Sequence, residues 1–128
     1  MPKSSIIPDD GTYEIIAAAL EVHRYLGPGL LESAYEECLC HECFLRSIPF
    51  ERQKPLPILY KGKQLDCAYR LDLVIDNRVL LELKSVEKLL PIHEAQLITY
   101  LKLSGLRTGL LMNFNEALLK EGIKRIVL

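Results

Sequence analysis

Three residues in the middle of the chain have the types and spacing that could do chemistry: Asp72, Glu82 and Lys84. They fall on two apolar-alternating segments, Cys67–Ile75 and Val79–Ser85, that read as strands joined around Asp76-Asn77-Arg78. Alternation puts Leu71, Leu73 and Ile75 on one face of the first strand, with Arg70, Asp72 and Val74 on the other. On the second strand Val79, Leu81 and Leu83 oppose Glu82 and Lys84. A sheet buries a face as a unit, so pairing the leucine-rich faces brings Asp72, Glu82 and Lys84 together on the opposite side. Two carboxylates converging there repel unless they share a proton or a cation. Hard oxygen ligands of this kind suit Mg²⁺ or Mn²⁺. Lys84 could orient a water or steady the charge on a phosphate. A plain ion pair between Lys84 and one acid on a solvated face is the competing reading of the same spacing.

Convergence imposes two conditions. A two-residue loop at Asp76-Asn77 would pair Asp72 with Leu81 and turn Glu82 to the wrong face. A loop of three residues (76–78) or five restores a common face, and three sets Asp72 directly opposite Glu82. At least one carboxylate must also hold a raised pKa in the metal-free protein, offset in part by Lys84.

Two further constellations could join this site. Gly29-Leu30-Leu31-Glu32-Ser33-Ala34-Tyr35 spells GxxExxY at the start of a helix. Glu32 there is either a dipole-favoured surface acid or a further carboxylate for the metal. Gln96 and Tyr100 lie one turn apart on a later helix, with His93 on the same stripe. They read either as a polar helix face or as an amide and a phenol that contact the site or a nucleic-acid strand.

The elements that must position these groups are legible in outline. Ile15, Ile16, Ala19, Leu20, Val22 and Leu26 recur at helical spacing from Thr12 to Leu26, and Gly27-Pro28-Gly29 breaks the chain. A second helix is expected from about Leu30 to Arg46, with Leu31, Ala34, Tyr35, Cys38, Leu39 and Leu45 as its apolar share. Pro49, Pro55 and Pro57 mark an edge strand, because proline donates nothing to a ladder. Lys61-Gly62-Lys63 is a turn between Ile58-Leu59-Tyr60 and the next strand. Pro91 opens a helix running to about Ser104, with Gly105 as its cap. Gly109-Leu110-Leu111-Met112 reads as a buried strand and Gly122–Leu128 as a last short one. The order predicts an α/β domain around a mixed sheet.

Composition sets the outer bounds. The chain has 128 residues, 49% hydrophobic and 26% charged, with a net charge of −1. That suits a single globular domain over 1–128, with residues 1–11 expected as a loosely ordered N-terminal segment. No apolar run reaches the roughly 20 residues of a membrane span, and no signal-like core follows the first residues, so a cytoplasmic setting is expected. Residues 1–45 hold two basic and eight acidic side chains, against fourteen and nine after them. A nucleic-acid partner would therefore meet the second part, where Lys61, Lys63, Lys88 and Lys102 are candidates for backbone contacts. Cys38, Cys40 and Cys43 share no single helical face, and no second CxxC completes a zinc site with His41. With Cys67, they are read as buried small hydrophobes.

Taken in order, Gly29…Glu32…Tyr35, Asp72, Glu82-Leu83-Lys84, Gln96…Tyr100-Leu101 and Gly109-Leu110-Leu111-Met112-Asn113-Phe114 resemble the GxxExxY proteins of the PD-(D/E)xK nuclease superfamily. The resemblance spans about residues 12–128. It implies a restriction-endonuclease-like αβββαβ core and a QxxxY helix. It implies Asp72 and Glu82 as ligands of Mg²⁺ or Mn²⁺, with the Leu83 carbonyl and Glu32 completing the site. Lys84 would position a water, with Gln96 and Tyr100 orienting Lys84 or the substrate. The implied reaction is hydrolysis of nucleic-acid phosphodiesters, DNA favoured, and the implied assembly a possible homodimer. Asn115 departs from the glycine expected after Asn-Phe, and Leu71 stands where the superfamily's name puts proline; neither touches the implied ligands. A catalytically silent nucleic-acid-binding module and a protein-interaction domain are the alternatives. A metal-induced rise in melting temperature that Asp72→Ala abolishes would separate them from a nuclease.

Overall fold

In the computed structural model, which describes residues 10–66 and 69–128, two helices, α1 (Thr12–Leu26) and α2 (Glu32–Leu45), lead into β1 (Phe50–Pro55). A short ribbon of β2 (Leu59–Tyr60) and β3 (Lys63–Gln64) precedes the hairpin β4 (Arg70–Ile75) and β5 (Val79–Lys84). Helix α3 (Pro91–Ser104), β6 (Thr108–Asn113), a single 3₁₀ turn at Leu119–Gly122 and β7 (Ile123–Val127) complete the chain. The main sheet has the order β1-β4-β5-β6-β7. Only β5 and β6 run parallel, and α3 supplies the crossover that a parallel pair needs. With the ribbon set aside, α2-β1-β4-β5-α3-β6 is the αβββαβ order of a restriction-endonuclease-like fold around a mixed sheet.

The sheet separates two cores. On one face Ile15, Ala19 and Val22 of α1 and Tyr35 and Leu39 of α2 cover Leu73, Ile75, Val79, Leu81, Leu83, Leu110, Met112 and Phe114. On the other, Leu97 and Leu101 of α3 cover Val74, Leu80 and Leu111. Every residue of β6 is buried, as a strand covered on both faces requires. Gly109 lets α3 come that close: a Cβ there would stand 2.9 Å from a Leu97 methyl. Pro91 begins α3, and Gly105, at φ 79° in the left-handed region, ends it with its N–H on the Leu101 carbonyl.

Several expectations are corrected. Leu71 packs in the α3-side cluster, not with Leu73 and Ile75. Leu31, Leu45 and Cys38 are exposed, while Cys40 and Cys43 take the buried positions of α2. The expected turn at Lys61-Gly62-Lys63 does lie between Leu59-Tyr60 and the next strand, and the two form a separate two-stranded ribbon. Strand β4 begins at Arg70. Cys67 and the first nine residues lie outside the described residues, as do the expectations placed on them.

Candidate active site

The loop between β4 and β5 has three residues, 76–78, with Ile75 paired to Val79. Asp76 and Asn77 both adopt positive φ, 53° and 55°, which their short polar side chains tolerate. The Arg78 N–H closes the turn on the Ile75 carbonyl at 2.9 Å. This odd loop is the one that sets Asp72 opposite Glu82.

The backbone ladder between the strands runs from Ile75↔Val79 to Leu73↔Leu81 and stops there. Carboxylates take over. The Asp72 N–H donates to Glu82 Oε2 at 3.0 Å, and the Leu83 N–H donates to Asp72 Oδ2 at 2.8 Å. Each acid is thus fixed by an amide of the opposite strand. On the other side, β1 pairs Arg52 with Leu73 and Lys54 with Leu71, but Gln53, at φ 52°, makes no ladder pair with Asp72. Asp72 leaves the ladder on both flanks, and the local turn of the backbone sends Leu71 to the α3 side.

Burial sets the electrostatics. Glu82 is only 4% exposed. Burial, and then the Asp72 charge, push its pKa up to about 8. Asp72 is half-buried, and burial raises its pKa too, against the lowering effect of the Leu83 N–H. Among the described residues, neither acid forms an ion pair. The Lys84 ammonium instead donates to Gln96 Oε1 at 3.2 Å, and Gln96 Nε2 donates to the Tyr100 hydroxyl at 3.2 Å. Burial and the nearby Glu82 charge raise the Tyr100 pKa.

The GxxExxY segment divides its work. Tyr35 is fully buried, stacked on Phe114 at 4.6 Å between ring centres. Its hydroxyl donates to the Gly27 carbonyl at 2.6 Å and accepts the Leu30 N–H at 3.1 Å, so it pins the entry to α2. Glu32, exposed at the first turn, accepts the Ser85 N–H at 3.3 Å, just past the end of β5. Its charge makes a small contribution to raising the pKa values of both acids. Among the described residues, however, no three His, Cys, Asp or Glu side chains converge into a ready metal cluster. Leu83 contributes its N–H to Asp72 and buries its side chain in the α1/α2-side core. His93 does not face the site: its Nδ1 accepts the Leu90 N–H at 2.9 Å and caps α3.

The sequence reading missed the supports. Glu36, one turn after Glu32, is buried and accepts Arg52 Nε at 2.6 Å and Gln53 Nε2 at 2.8 Å. It ties α2 to the irregular stretch of β1 opposite Asp72. The i, i+4 spacing of Glu32 and Glu36 was the available signal. Asn113, fully buried, holds the segment after β5 by accepting the Val86 N–H and donating to the Val86 carbonyl.

An acid–acid–lysine group at the opened end of an antiparallel pair, within an αβββαβ mixed sheet, defines a restriction-endonuclease-like domain. A family model described as the PD-(D/E)XK nuclease superfamily matches residues 9–126, and the chain belongs to that superfamily. No curated protein and no solved structure gives a significant match. Membership makes nucleic acid the substrate class. No described helix is long and apolar enough to cross a membrane.

Proposed function

We propose that this protein is a metal-dependent nuclease of the GxxExxY type that hydrolyses phosphodiester bonds, with DNA the favoured polymer. The observation that carries the reading is the pair of carboxylates, half-buried Asp72 and buried Glu82, held opposite each other with no cation paired to either among the described residues. Hard oxygen donors whose pKa values are both raised, chiefly by burial, fit a divalent ion such as Mg²⁺ or Mn²⁺. Asp72 and Glu82 would hold it, with Glu32 and the Leu83 carbonyl as further oxygen donors. Such an ion supplies charge neutralisation at a phosphoryl group and an acidified water.

The protein's own side chains account for the rest. Burial and the Asp72 charge raise the Glu82 pKa, so positive charge held at the site would favour release of its proton. Lys84 donates to Gln96 and forms no ion pair with either acid among the described residues, so its ammonium would be available to orient a water or to meet the charge that develops on phosphate. Tyr100 fixes the Gln96 amide by accepting its N–H. The superfamily generally works with divalent metals, in line with this assignment. A pairing of two copies belongs to the same proposal and rests on the sequence resemblance.

Calorimetric titration of Mn²⁺, together with nuclease assays on single- and double-stranded DNA and RNA, tests the reading. Wild type should bind the ion and cleave. Asp72→Ala should lose both, with cleavage down by at least about 10²–10³-fold. Lys84→Ala should still bind the ion while cleaving roughly a hundredfold more slowly. A wild type that neither binds Mn²⁺ nor cleaves would leave a silent binding module.

A further inference from the structure

The excursion between β1 and β4 stands apart from both cores. Its base is closed by the Leu56 N–H on the Tyr69 carbonyl at 2.9 Å, and the β2–β3 ribbon is closed by the Leu65 N–H on the Ile58 carbonyl at 2.8 Å. Past Leu56, none of residues 57–66 enters either hydrophobic cluster. Leu59 is 66% exposed and Tyr60 62%. A two-stranded ribbon with its apolar side chains in water stabilises nothing on its own. Residues 54–66 and 69–70 hold four basic side chains (Lys54, Lys61, Lys63 and Arg70) against one acid, Asp66. The Lys61 ammonium lies over the Tyr60 ring, 5.4 Å from its centre.

The placement of this ribbon is what matters. It links the end of β1 to the start of β4, and the antiparallel pairing of β4 with β5 puts that point at the end of the sheet where Lys84 lies. At its base Tyr69, 44% exposed, meets Tyr100 edge to face at 6.5 Å. Tyr100 in turn holds Gln96, and Gln96 holds Lys84. From the base of the ribbon, contacts therefore run through Tyr69, Tyr100 and Gln96 to Lys84.

We propose that the β2–β3 ribbon and Tyr69 form an arm that grips an unpaired nucleic-acid strand and leads it to the site. Tyr60 and Tyr69 stack on bases, and Lys61 and Lys63 meet phosphates. Stacking on a side chain needs a base face that a duplex keeps covered, which selects an unpaired strand. Strands of two residues also offer no row of side chains able to read base edges along a groove. The inference rests on the nuclease reading of the site and adds to it the form of the substrate.

Fluorescence anisotropy in EDTA, where no cleavage competes, tests the arm with a labelled single-stranded oligonucleotide and its duplex. Wild type should prefer the single strand. Tyr60→Ala should weaken single-strand binding about tenfold, the loss of one stacked base, and Tyr60→Phe should restore it. The Lys61→Ala, Lys63→Ala double variant should lower the slope of log affinity against log salt by about 0.7 per lysine. Equal affinity for duplex and single strand, or unchanged binding in Tyr60→Ala, overturns the arm. If wild type still cleaves with Mn²⁺ in that case, the nuclease reading survives it. A wild type that binds and cleaves no nucleic acid overturns both.

Discussion

The two ends of the β4–β5 hairpin share one alternation of residue types and differ in how the backbone is satisfied. Near the turn, Ile75↔Val79, Val74↔Leu80 and Leu73↔Leu81 form a regular ladder whose side chains are buried on both faces. One residue further on, the ladder gives way, and the Asp72 and Leu83 amides bond to carboxylates instead. The closed end gains apolar burial at every position. The open end places two acids in a low-dielectric setting, which raises both pKa values and is offset only in part by those amide bonds. Stability is concentrated at one end of the hairpin and chemistry at the other, with a single residue step between them.

This contrast can be broken at the closed end first. Leu81 is fully buried in the α1/α2-side core. Leu81→Ala should cost about 2–5 kcal/mol in urea unfolding while leaving Mn²⁺ affinity close to wild type. A near-neutral effect would mean that the regular ladder is not what anchors the hairpin.

At the open end the effect depends on pH. A glutamate ordinarily releases its proton near 4.5, whereas folded Glu82 holds it up to about 8. Folding therefore takes up a proton between those values, and the metal-free protein loses stability as pH rises through them. Glu82→Gln keeps the neutral form permanently. It should flatten that slope and, above about pH 8, exceed wild type by a few kcal/mol in EDTA. The same substitution should weaken the stabilisation that Mn²⁺ gives. Parallel pH profiles for the two proteins would contradict the burial of a protonated Glu82.

The smallest change sharpens the link between α3 and the site. Tyr100→Phe removes the hydroxyl that accepts Gln96 Nε2 and should cost about 0.5–1.5 kcal/mol of stability. With Gln96 freed to turn, Lys84 loses its fixed position, and cleavage should fall severalfold with Mn²⁺ affinity unchanged. A fall in Mn²⁺ affinity would instead tie Tyr100 to the acids.

The sequence by itself determined the local geometry. Alternation along residues 72–84 required an odd loop, three residues or five, if Asp72 and Glu82 were to share a face, because strand alternation is a property of neighbouring residues; the structure has three. The bounds of α1 and α3 followed in the same way, from apolar spacing, Pro91 and Gly105. Only the tertiary structure decided which way Leu71 faces: the ladder is interrupted at Asp72, beside Gln53, which lies nineteen positions before Asp72 and adopts a positive φ. It also decided that Glu32 bonds to Ser85, that Glu36 anchors Arg52 and Gln53, and that Lys84 donates to Gln96. Each of these is a contact between residues at least a dozen positions apart. Periodicity within one element says which face a side chain shares with its neighbours. The packing of α2 and α3 against the sheet determines what that face meets.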